Sequence, residues 1–213
     1  MPNRIVALGH KMLSIPYCYD LFQYTVGSVR FREAFVRENI SNYELKSCLD
    51  LGCGTASTVN LLPKNVKYIG LDTSNEYLKK AQQRTLGRDS VLINSDISDR
   101  HWTTEVEPSK NVLTLALGIF HHISDSQLDS TLENLSLVLK PGSKLISLDP
   151  IIDAQTTRAA AWFARNDRGP YIREIDQYRE SFGKYGFKLN VTITRNSFRI
   201  PYDLILMSAL KES

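Results

Sequence analysis

The sequence contains few cysteines and no long apolar run, and both absences exclude classes of protein. Its 213 residues hold three cysteines, Cys18, Cys48 and Cys53, without CxxC spacing. We therefore expect reduced thiols in a cytoplasmic protein, with neither a disulfide framework nor a bound metal. No stretch approaches the roughly 18 apolar residues of a membrane span, and the first residues lack the basic-then-apolar layout of a signal peptide. We expect no membrane partner.

A strong excess of either charge is also missing. The formal net charge is +3, with 42% hydrophobic and 23% charged residues, as in an ordinary globular protein. So small a charge does not indicate nucleic acid as a partner, and a chain of this length buries one substantial core. We expect one domain over residues 1–213, acting as a monomer or homodimer.

Strand and helix patterns alternate from residue 46, which is typical of a parallel sheet covered on both faces. Residues 1–43 have the periodicity of a helical lead-in, and residues 151–185 predict two helices. Capping-box patterns at Thr73–Glu76 and Ser124–Gln127 predict two helix starts. Strands are predicted at about 47–50, 66–72, 90–95, 111–117, 143–148, 187–195 and 202–210.

The most informative segment is an apolar strand that ends in Asp50 and continues into a turn with Gly52 and Gly54. Such glycines allow a tight turn whose N–H groups face a ligand, and a helix is expected directly after it. A second strand ends in Asp72, where a nucleoside-binding βαβ unit places an acid for the ribose hydroxyls. The pattern predicts a nucleoside cofactor.

The charge beside the turn bears on which nucleoside is bound. Asp50 would repel a pyrophosphate but suits a ligand that carries an ammonium group. Ser57 stands where a dinucleotide motif has its third glycine. An NAD-dependent oxidoreductase is therefore the weaker alternative, and a cofactor-binding protein without catalysis also stays open.

Residues 48–149 resemble the core of a class I S-adenosylmethionine-dependent methyltransferase. The segments that carry the resemblance are Asp50–Ala56, Asp72, Asn94–Ile97, Leu115–His122 and Lys140–Leu145. The chain departs from the family pattern at Ala56, where many members have a third glycine. The family implies an α/β fold: a Rossmann-like, doubly wound, mostly parallel seven-stranded sheet with helices on both faces and one antiparallel strand from a C-terminal hairpin at the sheet edge.

The resemblance also divides the chain by role. It implies a helical lid in 1–45, a cofactor core in 46–150, an acceptor-side helical segment in 151–186 and a strand pair in 187–213. Asp72 would accept from the ribose hydroxyls and Asp96 from the adenine amino group, although Asp96 also suits a plain turn. The full expected cofactor site is Tyr19, Asp50, Gly52, Cys53, Gly54, Asp72, Thr73, Asp96, Ile97 and Leu117. Trp102 either closes over the adenine or packs within a loop, and Tyr17, Tyr19 and Tyr24 serve the lid or the core.

The acceptor side has its own candidates. His121 or His122 would act as a base near the methyl group, or else one packs and the other caps the next helix. Asp149 would line the acceptor pocket or start a turn. Arginines and aromatics in 151–186 would bind an anionic acceptor or form a solvated helix face; they are Arg158, Arg165, Arg168, Arg173, Trp162 and Tyr171. We expect methyl transfer from S-adenosylmethionine to a small molecule, with a hydroxyl oxygen as the acceptor atom.

Overall fold

The computed structural model describes residues 27–40, 44–107, 109–167 and 169–212. Tyr17, Tyr19, Tyr24 and most of the predicted lid lie outside these ranges, as does Arg168. Within them, no helix is long and apolar enough to cross a membrane.

A seven-stranded sheet forms the centre of the described chain, in the order β3-β2-β1-β4-β5-β7-β6. Strands β1 to β5 are parallel to one another, whereas β7 is antiparallel to both β5 and β6. This sheet confirms the expected fold class. The strands are β1 Ser47–Leu51, β2 Lys67–Asp72, β3 Ser90–Asn94, β4 Val112–Leu117, β5 Lys144–Pro150, β6 Phe187–Thr194 and β7 Leu204–Lys211.

One detail of the predicted sheet is wrong. The antiparallel strand β7 does not lie at the edge but between β5 and β6, and β6 is the edge strand. Its register with β5 runs from Lys144 opposite Leu210 to Pro150 opposite Leu204. Four of its side chains, Leu204, Ile205, Met207 and Ala209, are buried, as an interior strand requires.

Helices cover the sheet, and buried side chains form one cluster on each of its faces. Alternation along β1 shows the division, because Leu49 and Leu51 belong to one cluster and Cys48 to the other. The α-helices are α1 Ser28–Ile40, α2 Asn75–Arg84, α3 Asp125–Val138, α4 Arg158–Arg165 and α5 Ile175–Lys184.

The helix expected directly after the glycine turn is reduced to a short 3-10 helix, Ser57–Leu61. Leu62 is extended, with φ −91° and ψ 144°. Pro63 explains the early end, because a proline disfavours helical backbone at the residue before it. The helix begins after Ala56, which has left-handed backbone with φ 55° at the position where many family members carry glycine.

The capping predictions hold at one helix and shift at the other. Ser124 and Gln127 form the capping box of α3. For α2 the N-cap is Ser74 rather than Thr73, and its hydroxyl accepts from the Tyr77 amide. The Thr73 side chain is thereby left outside the helix, at the end of β2.

Parallel strands place their carboxyl ends at one edge of the sheet, where ligands bind in open α/β folds. At this edge lie the glycine turn after β1, Asp72 of β2, the residues after β3 and β4, and the end of β5. The loop before β7 reaches the same edge because β7 runs the opposite way. Both sides of the expected site are therefore built from neighbouring loops.

Candidate cofactor and acceptor site

The glycine turn is held between β2 and the turn after β4. Gly52 and Gly54 have φ +64° and +54°, which side chains rarely adopt. A Cβ at Gly52 would lie 2.7 Å from Ile119 Cδ1, so the close approach itself requires glycine. At Gly54 a Cβ would meet no heavy atom within 4 Å among the described residues. The turn therefore packs tightly at Gly52 and leaves a cradle beside Gly54.

Asp50 lies buried beneath this turn, with 3% of its surface exposed. One oxygen, Oδ2, accepts hydrogen bonds from Tyr68 Oη at 2.7 Å and from Thr58 Oγ1 at 2.5 Å. Burial raises the pKa of the Asp50 carboxyl to about 6, although both hydroxyls favour the ionised form. Asp50 therefore lies beneath the turn as a carboxylate that is ionised above pH 6 and accepts hydrogen bonds from two hydroxyls.

Asp72 connects the end of β2 to the glycine turn. Its Oδ2 accepts from the Gly54 amide and its Oδ1 from the Ser74 amide, each at 2.8 Å. Burial raises the pKa of this carboxyl, and the two amides oppose the rise. Because each carboxylate oxygen has two lone pairs, both remain able to accept from a ribose diol. Asn94 fixes the strand end by donating to the carbonyl oxygens of Asp72 and Thr73 at 3.0 and 2.9 Å.

The segment after β3 places Asp96 in a turn. Its Oδ1 accepts from the amide and the hydroxyl of Ser98, at 2.8 and 2.7 Å, as in a turn closed by an aspartate. Ile97 beside it is buried, and its carbonyl oxygen accepts from Trp102 Nε1 at 3.0 Å. The turn aspartate is therefore present, at the place where the adenine contact is expected.

Trp102 does not close over an adenine. Its side chain is fully buried, packs in the core and donates its N–H inward, so no indole surface faces a ligand.

The remaining predicted cofactor residues differ in how far their side chains are exposed. Thr73 is exposed, Leu117 is half-buried at the end of β4, and the Cys53 side chain is buried. Burial, the largest cause, raises the pKa of the Cys53 thiol, which therefore stays protonated.

His121 lies between two carboxylates. Its Nδ1 is 2.7 Å from Asp149 Oδ1 and its Nε2 is 3.7 Å from Asp167 Oδ2. The side chain is nearly buried, at 5% exposed. Burial alone would lower the pKa of this imidazole, but the carboxylates of Asp149 and Asp167 outweigh it and hold the pKa at about 9. His121 is consequently an imidazolium at neutral pH.

Asp149 has neither of its two expected roles. It lies within β5, is fully buried and does not start a turn or line an open pocket. Its Oδ1 also accepts from the His121 amide at 3.0 Å, and its Oδ2 accepts from Ser147 Oγ at 2.7 Å. The side chain fixes both the backbone and the ring of His121. Asp149 was difficult to interpret from sequence because its partner is 28 residues away.

We call residues 167 and 169–173, which follow α4, the acceptor strap. Arg173, at its end, is buried and belongs neither to an anion-binding surface nor to a solvated helix face. Its guanidinium donates to the carbonyl oxygens of Phe120 and Ile123, both at 2.6 Å, and to Asp125 Oδ1 at 2.7 Å. Arg158 and Arg165 are exposed on α4, and Trp162 and Tyr171 are 54% and 41% exposed.

Four residues of the site were not predicted as functional: Thr58, Tyr68, Asp167 and Tyr202. Tyr202 Oη donates to Asp167 Oδ2 at 2.6 Å. Among these four residues, only Tyr68 had a signal in the sequence. A tyrosine inside an otherwise apolar strand such as β2 needs a hydrogen-bond partner for its buried hydroxyl. Asp50 is the available acid, because it lies on β1 two residues beyond the position opposite Tyr68.

The chain was compared with known proteins. Residues 48–142 match the methyltransferase domain family model. An uncharacterised methyltransferase of Geobacillus kaustophilus is 28% identical over 177 residues, which cover 78% of this chain and 77% of the relative.

Two solved structures share the fold at low identity. Human N-acetylserotonin methyltransferase, solved in complex with S-adenosylmethionine, has a TM-score of 0.67 and 15% identity, covering 96% of this chain and 57% of that one. A Listeria monocytogenes protein described as an S-adenosylmethionine-dependent methyltransferase has a TM-score of 0.60 and 19% identity, covering 85% of this chain and 98% of that one. The domain match over residues 48–142, the motifs and the strand order make this chain similar to class I S-adenosylmethionine-dependent methyltransferases.

Proposed function

We propose that this methyltransferase transfers the methyl group of S-adenosylmethionine to a hydroxyl oxygen of a small cytoplasmic molecule. The observation that carries the cofactor half is the hydrogen bond of 2.8 Å from the Gly54 amide to Asp72. This hydrogen bond joins the two features that a nucleoside-binding site requires: an open glycine turn, and an acid whose oxygens can still accept hydrogen bonds. A small-molecule acceptor is supported by the name of one structural relative, N-acetylserotonin methyltransferase.

Each cofactor residue has a role that its geometry allows. Asp72 would hold the ribose hydroxyls, and the cradle beside Gly54 would admit the chain that joins ribose to sulfur. Asp50 is too buried to offer an open face, so it would favour the ammonium group through its negative charge beneath the turn. Asp96 and Ile97 would contact the adenine, with Thr73, Leu117 and the Cys53 backbone lining the mouth.

The cofactor supplies an electrophilic methyl group and a neutral leaving group, so the protein mainly has to align the acceptor and exclude water. For a hydroxyl acceptor, a base assists by removing the proton during attack. His121 is unsuited to this role because both its ring nitrogens face carboxylates and the ring already carries a proton. His122, half-buried with its ring centroid 4.1 Å from that of His121, is the proposed base.

Calorimetry with S-adenosylhomocysteine tests the cofactor half. We expect binding to the wild type, a loss of at least tenfold in affinity for Asp72→Ala, and no change for Asp89→Ala. Asp89 is a matched control because it is an exposed aspartate before β3, away from the carboxyl edge. Binding that is absent in the wild type, or unaffected by Asp72→Ala, would contradict the proposed site.

Incubation with a labelled methyl donor and a fractionated small-molecule extract tests the acceptor half. We expect one compound to gain the label, and mass spectrometry to place the methyl group on oxygen. His122→Ala should lower kcat for that compound more than it raises KM. Cofactor binding with no labelled product in any fraction would instead favour a binding protein without catalysis, and label on nitrogen or carbon would refute the hydroxyl proposal.

A further inference from the structure

The acceptor strap is attached along the turn that follows β4 at several points. Arg173 binds two carbonyl oxygens of this turn, and the Tyr171 amide donates to the His121 carbonyl oxygen at 3.0 Å. Gly169 lies so close that a Cβ there would be 1.9 Å from His121 Cδ2 and 2.6 Å from its carbonyl oxygen. Asp167 adds the ion pair with His121 Nε2. Asp167, Gly169, Tyr171 and Arg173 of the strap therefore all contact the turn.

The turn itself is fixed from its other side. Ile119 packs where a Cβ of Gly52 would lie, and Asp149 of β5 holds the ring and the amide of His121. The turn is thus anchored on β1 and β5 independently of the strap. If the contact between the two opens, the strap is the part that moves.

Asp167 also links the strap to the loop before β7. Tyr202 donates to Asp167 and stacks on Phe198, with ring centroids 5.2 Å apart. Phe198 in turn meets Phe31 of α1 edge to face, at 6.0 Å. One carboxylate therefore lies between the sheet-anchored imidazolium and an aromatic group formed by Tyr202, Phe198 and Phe31.

We propose that the ion pair of Asp167 with His121 is a latch that closes the acceptor strap over the acceptor side of the site, with His121 as a positioning residue. This inference rests on the proposed function where it assigns the strap to the acceptor side. The ion pair itself does not depend on which ligand binds. The charged or titratable groups around His121 are Asp149 from β5, Asp167 and Arg173 from the strap, His122 beside it and the Tyr202 hydroxyl behind Asp167. Arg173 pairs with Asp125, whereas His121 has Asp149 at Nδ1 and Asp167 at Nε2, so the contact with Asp167 adds a second carboxylate to the same ring.

Hydrogen exchange measured by mass spectrometry tests the latch in the full chain. Asp167→Asn removes the charge and keeps the shape. We expect exchange in the strap to rise about tenfold, with exchange in α3 within twofold of wild type and affinity for S-adenosylhomocysteine within threefold. Asp176→Asn is the matched control, because Asp176 is an exposed aspartate paired with Arg179 on α5. It should leave strap exchange unchanged.

Hydrogen exchange in the strap that stays at the wild-type rate in Asp167→Asn overturns the latch. Exchange that accelerates evenly over the whole chain also overturns it, because Asp167 would then stabilise the fold in general. If Asp167→Asn fails to fold, Tyr202→Phe removes only the hydroxyl that orients Asp167 and should accelerate the strap by a smaller factor. NMR of the wild-type imidazoles gives a further readout: both His121 nitrogens should be protonated at pH 7.5. A neutral His121 at that pH overturns the latch. Failure of S-adenosylhomocysteine to bind would refute the proposed function and leave the exchange result standing.

Discussion

The hydroxyl of Tyr68, on β2, donates a hydrogen bond of 2.7 Å to the buried carboxylate of Asp50 on the neighbouring strand β1. An ionised group so deeply buried is costly unless it is hydrogen-bonded. The pair therefore maintains a negative charge beneath the glycine turn, where the cofactor's ammonium group is proposed to bind.

Removing this hydroxyl should destabilise the fold. We expect Tyr68→Phe to lower the free energy of unfolding by about 1–3 kcal/mol, because a buried carboxylate loses a donor. Tyr178→Phe is the matched control: Tyr178 is equally buried, and its hydroxyl has no hydrogen-bond partner within the described ranges. That variant should stay within about 0.5 kcal/mol of wild type. Equal losses for the two variants, measured by urea unfolding, would show that the Tyr68 hydroxyl has no special role.

Cofactor affinity should depend on pH through Asp50. Burial raises the pKa of this carboxyl to about 6, so the ionised form that favours an ammonium ligand is lost as pH falls through 6. We expect the Kd for S-adenosylhomocysteine to rise below pH 6 by up to about tenfold per pH unit. Calorimetry between pH 5 and 8 measures the profile. Asp50→Asn should bind more weakly at pH 8 and vary less with pH, because the titration of residue 50 is removed. A profile identical to wild type would refute the role of Asp50.

Close packing at Gly52 predicts a second stability difference. Gly52→Ala combines a strained φ with a Cβ 2.7 Å from Ile119, and we expect a loss of about 2–4 kcal/mol. Gly87→Ala has a comparable φ of +75° but meets no atom within 4 Å, so it should lose only about 1–2 kcal/mol. Thermal unfolding of both variants separates steric contact from backbone strain. Losses of the same size would mean that Ile119 moves aside at little cost.

Stability should fall at alkaline pH because of His121. Its folded pKa of about 9 lies above the ordinary value of 6.5. The contribution of protonated His121 to the free energy of unfolding is therefore fully present below pH 6.5. It disappears as pH rises through 9, a change of about 3 kcal/mol. Urea unfolding at several pH values should show this decline in wild type and in His101→Asn, a control at an exposed histidine. His121→Asn should lack the decline, and a decline of wild-type size in that variant would assign it to other groups.

The sequence was a good guide to the strands and a poorer guide to contacts between distant segments. Strands such as β4 were predictable because a nearly unbroken apolar run has few other uses in a domain of this kind. Ala56 is a departure from the family's glycine, and its backbone is left-handed at φ 55°, a conformation that glycine adopts more easily. The Pro63 effect on the preceding helix was also present in the sequence, although it was outweighed by the expectation of a full helix after the turn.

The environment of His121 was not predictable in the same way. Its partners Asp149 and Asp167 come from segments 28 and 46 residues further along the chain, and no local pattern records that both carboxylates face one ring. For Arg173 both predicted surface roles are wrong because tertiary packing buries it, and for Trp102 the packing alternative holds, with deeper burial than expected. The cofactor-side prediction therefore rests on local motifs, whereas the surroundings of His121 depend on contacts between distant segments.

The interior position of β7 has a consequence for misfolding. Strands β5 and β6 both pair with β7, and β6 pairs with no other described strand. Detachment of β7 would expose the backbone of β5, leave β6 without a partner, and free an apolar strand from Leu204 to Lys211. Unpaired strands of this kind template intermolecular aggregation. Substitutions that weaken this single strand should therefore reduce recovery of the protein from cells more than comparable changes in α2 on the opposite side.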